Sequence, residues 1–107
     1  MEKNTQNHTI ETEIDTEVLT RVAQTFKILG DPTRIRILKL LSKEELSVNE
    51  IVERLDLKQS NVSQQLKSLK NVQLVKYRRE GTTAYYTYDD DHVITTLEEM
   101  IDHVSHS

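Results

Sequence analysis

The stretch LSVNEIVERLDLKQSNVSQQLKSLKNVQLV, Leu46 to Val75, divides into two short amphipathic helices. Ser47 and Glu50 stand three residues apart at its head. That is the spacing of a capping box, in which each side chain satisfies the other residue's backbone N–H. Val48, Ile51, Val52 and Leu55 then share one helical face. Asp56-Leu57 reads as a short turn. A second helix follows, with Val62, Leu66 and Leu69 at i, i+4 and i+7 and a remaining surface of Ser, Asn, Gln and Lys.

Beyond Leu74 the period changes. LVKYRREGTTAYYTY is rich in Val, Tyr and Thr, with a Glu80-Gly81 turn in its middle, which is the pattern of a β-hairpin. Asp89 to Asp91 supply an N-cap and first-turn negative charge for a last helix, with Val93, Leu97, Ile101 and Val104 as its inward stripe. Upstream, Val18, Val22, Phe26 and Leu29 make one apolar stripe from Thr16 to the stop at Gly30. Asp31-Pro32 opens the next helix, with Asp as cap and Pro at the first position, where its missing N–H costs nothing. Ile35, Ile37, Leu38, Leu40 and Leu41 make that helix apolar on several sides, hence central. Two helices across a tight turn, then a basic hairpin, predict a winged helix-turn-helix: mainly α with a β-hairpin wing, an α+β fold. Residues 1–15 read as a flexible arm, and residues 16–107 as one DNA-binding and dimerisation domain.

With 107 residues, a single domain with a modest core is expected, one that a second subunit would extend. The absence of cysteine excludes disulfides, thiolate metal sites and cysteine nucleophiles. No apolar run approaches the roughly 20 residues that span a bilayer, and MEKNTQNHTIETE has no apolar leader core. A soluble cytoplasmic protein without a membrane partner follows as the expectation.

The net charge of −4 argues against nucleic acid until its distribution is considered. From Leu57 to Arg79 there is no acidic residue, while Lys58, Lys67, Lys70, Lys76, Arg78 and Arg79 are basic. Salt screens charges over roughly 8–10 Å, so the local block outweighs the total. Gln59, Ser60, Asn61, Ser63, Gln64 and Gln65 are compact hydrogen-bonding side chains suited to base edges in a major groove. Lys58, Lys67 and Lys70 on the helix, and Lys76, Arg78 and Arg79 on the hairpin, suit phosphates. The bland alternative is a solvated polar helix beside an ordinary basic hairpin. Tyr77, Tyr85, Tyr86 and Tyr88 read as strand packing rather than stacking platforms.

Three of the four histidines fall near the C-terminus. His92 to His103 is eleven residues, about 1100° of helix, so the two lie along one edge about 16 Å apart. His106 falls near the same line, and Asp90 can fold back beside His92. Ligands of one zinc sit within about 4 Å of each other. One chain therefore cannot close a site, whereas two such helices packed antiparallel across a two-fold axis can. Spacing alone leaves a second reading open, because the helix dipole favours histidine at a C-terminus and acid at an N-terminus without any metal.

FKILGDPTRIRILKLL, the helix pair above and YYTYDD resemble the ArsR/SmtB family of bacterial metal-sensing repressors, closest to the zinc-sensing CzrA type. The resemblance runs from about Thr16 to the end. It implies a homodimer through the first and last helices. It also implies double-stranded operator DNA as partner and Zn(II) ligands at Asp90, His92, His103 and His106, two sites per dimer, with Co(II) as a possible surrogate. It places an acceptor for His103 on the backbone near Gln73. The function implied is zinc-responsive repression of metal efflux or resistance genes. The alternatives are a repressor sensing a non-metal signal and a zinc-binding buffer protein. An enzyme acting on a small organic substrate is not expected, since four protein ligands leave no open metal position for water. The sequence also departs from the family. Ser47 and the absence of Cys remove the relatives' site near the third helix, Lys58 replaces the Ser that often precedes the recognition helix, and Gln64 stands where relatives often have His.

Overall fold

A computed structural model describes residues 13–106, and the expected arm lies outside them except for 13–15. Among the described residues are five helices, α1 (Thr16–Leu29), α2 (Pro32–Leu41), α3 (Val48–Leu55), α4 (Gln59–Asn71) and α5 (Asp91–Ser105), and a small sheet. Its strands are β1 (Leu46–Ser47), β2 (Val75–Glu80) and β3 (Thr83–Tyr88), antiparallel in the order β1-β3-β2. This is the winged helix-turn-helix that the sequence predicts.

Local signals set the boundaries. The Asp15 carboxylate accepts from the N–H groups of Glu17 and Val18, and Gly30 closes α1 by donating to the Lys27 carbonyl. The Asp31 side chain caps α2, with Pro32 just inside it. Ser47 and Glu50 form the full capping box of α3. Asp56 ends α3 in the left-handed region at φ 55°, which lets the chain turn sharply into α4. Gly81, at φ 64°, supplies the left-handed residue of the hairpin turn. Glu80 pairs with Thr83, so the two-residue loop is Gly81-Thr82, one position later than the sequence suggests.

Ile37, Leu38 and Leu41 of α2, Ile51 of α3 and Val62, Leu66 and Leu69 of α4 are almost completely enclosed. Leu46, Leu74, Val75, Ile94 and Leu97 extend this core. α2 is central, as its several apolar sides require. The unforeseen β1 pairs Leu46 with Tyr86 and Ser47 with Tyr85, tying the start of α3 to the wing. On α5, Ile94 joins Leu97 in the core, while Ile101 and Val104 are exposed. α1 has no buried residue, and Val18, Leu19, Val22 and Phe26 are 42–59% exposed. The apolar stripe of α1, and the distal half of the α5 stripe expected to face inward, are therefore largely uncovered in the single chain.

Candidate nucleic-acid and metal surfaces

α4 presents its first turns to solvent. Lys58 caps it by backbone conformation only, with no side-chain hydrogen bond, and the first turn carries no acid. Gln59, Ser60, Ser63 and Gln64 are exposed, as are Lys58, Lys67 and Lys70. Asn61 and Gln65 are half-buried and turn toward α2. The Arg34 Nε donates to Gln65 Oε1 at 2.7 Å, and Gln65 Nε2 donates to Asn61 Oδ1 at 3.1 Å. The six-residue polar face read from the sequence is thus four exposed side chains beside two held ones.

The hairpin divides its cations by the two-residue period of a strand. Tyr77 and Arg79 share the face that continues from buried Val75, the side of α4. The Tyr77 ring lies against Tyr86, with centroids 5.4 Å apart. Lys70 Nζ lies 4.6 Å from the Tyr77 centroid and the Arg79 guanidinium 5.7 Å from it. One ring therefore gathers a cation from α4 and one from the hairpin. Arg78 is on the opposite face. Its Nε donates to Glu45 at 3.0 Å and its Nη1 to Glu80 at 3.2 Å. These carboxylates raise its pKa above the ordinary arginine value, Glu45 first and then Glu80. Lys76 lies 4.0 Å from Asp89. Of the hairpin cations expected on phosphate, Arg79 faces α4, whereas Arg78 is committed to carboxylates. Glu45, whose opposite charge gave no sign of this role, was not foreseen.

At the end of α4, Gln73 adopts φ 61°, and its Oε1 accepts from Arg21 Nη2 of α1 at 3.3 Å. The residue that the resemblance singles out thus ties the segment just after α4 to α1. The carboxylate of Asp90 caps α5, accepting from the His92 N–H at 2.6 Å and lying 2.8 Å from His92 Nδ1. The backbone bond first, then the imidazole, hold the Asp90 carboxyl below its usual pKa. His92 is almost fully exposed. At the far end His103 is exposed. His106 Nδ1 meets the Asp102 carbonyl at 2.8 Å and its carboxylate at 3.2 Å. Among the described residues of one chain, no three potential ligands converge on a point. The four expected ligands form one pair at each end of α5.

Between α1 and α5 runs a groove of about 600 Å³, lined by Val18, Val22, Phe26, Val93, Leu97 and Met100 among others, with His92 on its rim. No helix among the described residues is long and apolar enough to cross a membrane.

A family model described as bacterial regulatory protein, arsR family, matches residues 31–77. The chain is 37% identical over 93 residues to the regulator NmtR of Mycobacterium tuberculosis, covering 87% of this chain and 78% of that protein. It is 38% identical over 87 residues to a transcriptional repressor SmtB homolog of Synechocystis. That match covers 81% of this chain but spans 66% of the relative's length. Among solved structures, the homodimeric winged helix-turn-helix DNA-binding domain Mb0332 of Mycobacterium bovis superposes with a TM-score of 0.75 at 30% identity, over 90% of both chains.

Proposed function

Because this chain belongs to the ArsR family of bacterial regulatory proteins, we propose that it is a zinc-responsive transcriptional repressor acting as a homodimer in the cytoplasm. The metal-free dimer holds a double-stranded operator. Zn(II) bound between the subunits lowers that affinity and derepresses metal efflux or resistance genes. The observation that carries the reading is that two surfaces occur on one chain. One is the acid-free outer face of α4 flanked by Lys70 and Arg79. The other is α5, with potential ligand pairs at both ends and an uncovered apolar stripe between them.

The donor set fits zinc only as a shared site. Asp90 and His92 already lie side by side at 2.8 Å. Among the described residues a single chain offers no third ligand there. His103 and His106 of an antiparallel partner would complete a site of one carboxylate and three imidazoles, a set suited to Zn(II) and also to Co(II). When bound, zinc supplies a four-coordinate clamp across the interface. The chain's own residues do the rest. Asp90 orients the His92 ring while capping α5. His103 holds its second ring N–H for the backbone carbonyl at Gln73, as metal-bound imidazoles commonly do toward a neighbouring acceptor. Gln73 lies at the junction of α4 and the wing, so a pull there changes the spacing of the two recognition helices. That spacing must match half-sites about one DNA turn apart or a multiple of it.

Titrating a duplex from upstream of the protein's own gene, with zinc and with chelator, tests this reading. Saturable, salt-sensitive binding that zinc weakens is expected. Equal affinity in both conditions would point to a repressor with a non-metal signal. Tight zinc binding with no specific duplex binding would point to a zinc buffer.

A further inference from the structure

Arg34 is the one arginine of α2 turned inward, and nothing in the metal or phosphate chemistry uses it. Its Nη1 donates to the Ile28 carbonyl near the end of α1 at 3.1 Å, while its Nε donates to Gln65 at 2.7 Å. A guanidinium has donors and no acceptor. Gln65 must therefore turn its carbonyl oxygen to Arg34. Its NH2 end then faces Asn61, one turn earlier on α4, and Asn61 must answer with its own carbonyl oxygen at 3.1 Å. Each amide has one accepting and one donating end, so the arginine at the head fixes the direction of the whole chain.

We infer that Arg34 is a positioning residue for DNA reading, one that polarises the Gln65–Asn61 relay so that Asn61 offers its NH2 group to a base edge. The inference rests on α4 being the major-groove helix proposed above. Asn61 is in the first turn of α4, where helix-turn-helix proteins contact base edges. An unconstrained asparagine can turn either end outward and matches donors and acceptors alike. With its oxygen held by Gln65, Asn61 selects an acceptor: guanine O6 or N7, adenine N7 or thymine O4. Against cytosine, whose groove edge is the N4 donor, two donors meet and neither is satisfied. One base pair per half-site is therefore read as guanine over cytosine, through a residue that never approaches DNA.

The test begins with the full-length wild type. A preferred half-site is selected from a randomised duplex pool, and each base pair is then exchanged between G·C and C·G. Wild type is expected to show one position where guanine is favoured by about tenfold, and Asn61→Ala to abolish the preference there alone. Arg34→Met should flatten the same position. Gln65→Glu is the sharper variant. Its carboxylate keeps Arg34 but cannot donate, so Asn61 must turn its NH2 inward and offer its oxygen. The preference at that one base pair should then reverse toward cytosine, with every other position unchanged. Arg34→Lys, still a pure donor, should retain guanine. If Arg34→Met lowers affinity for all sequences equally, or Gln65→Glu leaves guanine preferred, the relay is refuted while DNA reading by α4 stands. If Arg34→Met does not fold, Gln65→Glu decides alone. If wild type selects no sequence at all, the proposed recognition by α4 fails first, and the relay with it.

Discussion

Arg78 and Arg79 are neighbours of identical type, and the sequence offers no reason to separate them. The strand does, because successive side chains point to opposite faces. Glu45 and Glu80 already neutralise Arg78, while Arg79 stands over Tyr77 facing α4. Arg79→Ala should weaken all duplexes similarly and flatten the salt dependence by about one unit, measured as the slope of log affinity against log salt. Arg78→Ala should change that slope less. Equal slopes for the two variants would refute the division. Left-handed residues form a second group at this scale. Asp56 sits at φ 55° as the α3 cap with an exposed side chain. Asp56→Gly should stabilise the protein by up to about 1 kcal/mol, because glycine adopts that conformation without a Cβ clash. A lower thermal midpoint would show that the Asp side chain contributes more than its strain costs. The capping box at Ser47 was legible because its two partners are three residues apart. The Arg34–Gln65–Asn61 chain was not, because it joins residues 31 positions apart and an arginine is expected at the surface.

At the scale of elements, helices were read well where chemistry punctuates them: Gly30, Asp31-Pro32, and Ser47 with Glu50. The two-residue β1 escaped because Leu46–Ser47 has no period and already belongs to a capping signal. The apolar stripes of α1 and α5 were legible as stripes, but periodicity cannot tell which partner covers them. Both flank the groove, and Val22, Phe26, Met100 and Val104 are 42–62% exposed in the single chain. Such a continuous apolar surface on a small domain marks an interaction site, and a second copy fits the proposed dimer. Phe26→Glu should therefore give a protein that sediments as one chain, with the α2–α4 core retained, because Phe26 does not belong to that core. A variant that still sediments as a dimer would put the interface elsewhere.

For the whole molecule, the separation of the proposed ligand pairs along α5 is the property that a second chain would resolve. His92→Ala and His103→Ala should each bind zinc poorly alone. In an antiparallel dimer mixed from the two, one shared site lacks both histidines and the other keeps all four ligands. Mixing should restore one tight site per dimer, read by competition with a chelating dye. No recovery on mixing would assign the ligands to a single chain. If zinc weakens operator binding, linkage requires the operator to weaken zinc by the same factor. Measuring zinc affinity on and off DNA checks both sides of that cycle. The placing of the proposed ligands at the two ends of α5 could be read from the sequence by counting turns of helix. The tie between α1 and the segment after α4, through Arg21 and Gln73, could not, because it depends on how the elements pack.

β2 is the outer strand of the wing, and among the described residues no strand pairs beyond it. An open strand edge is a template for another copy's strand, and natural proteins guard such edges with charge. Lys76, Arg78 and Arg79 all sit on this strand. Lys76 and Arg78 already face Asp89, Glu45 and Glu80, so it is the charge of Arg79 above all that would guard this edge against another copy when no nucleic acid is present. Replacing all three by threonine, a good strand former, should leave the fold intact yet produce slow, concentration-dependent aggregates that bind thioflavin. Solubility in the cell and grip on a duplex would then depend on the same few side chains, so a wing tuned toward weaker binding drifts toward precipitation.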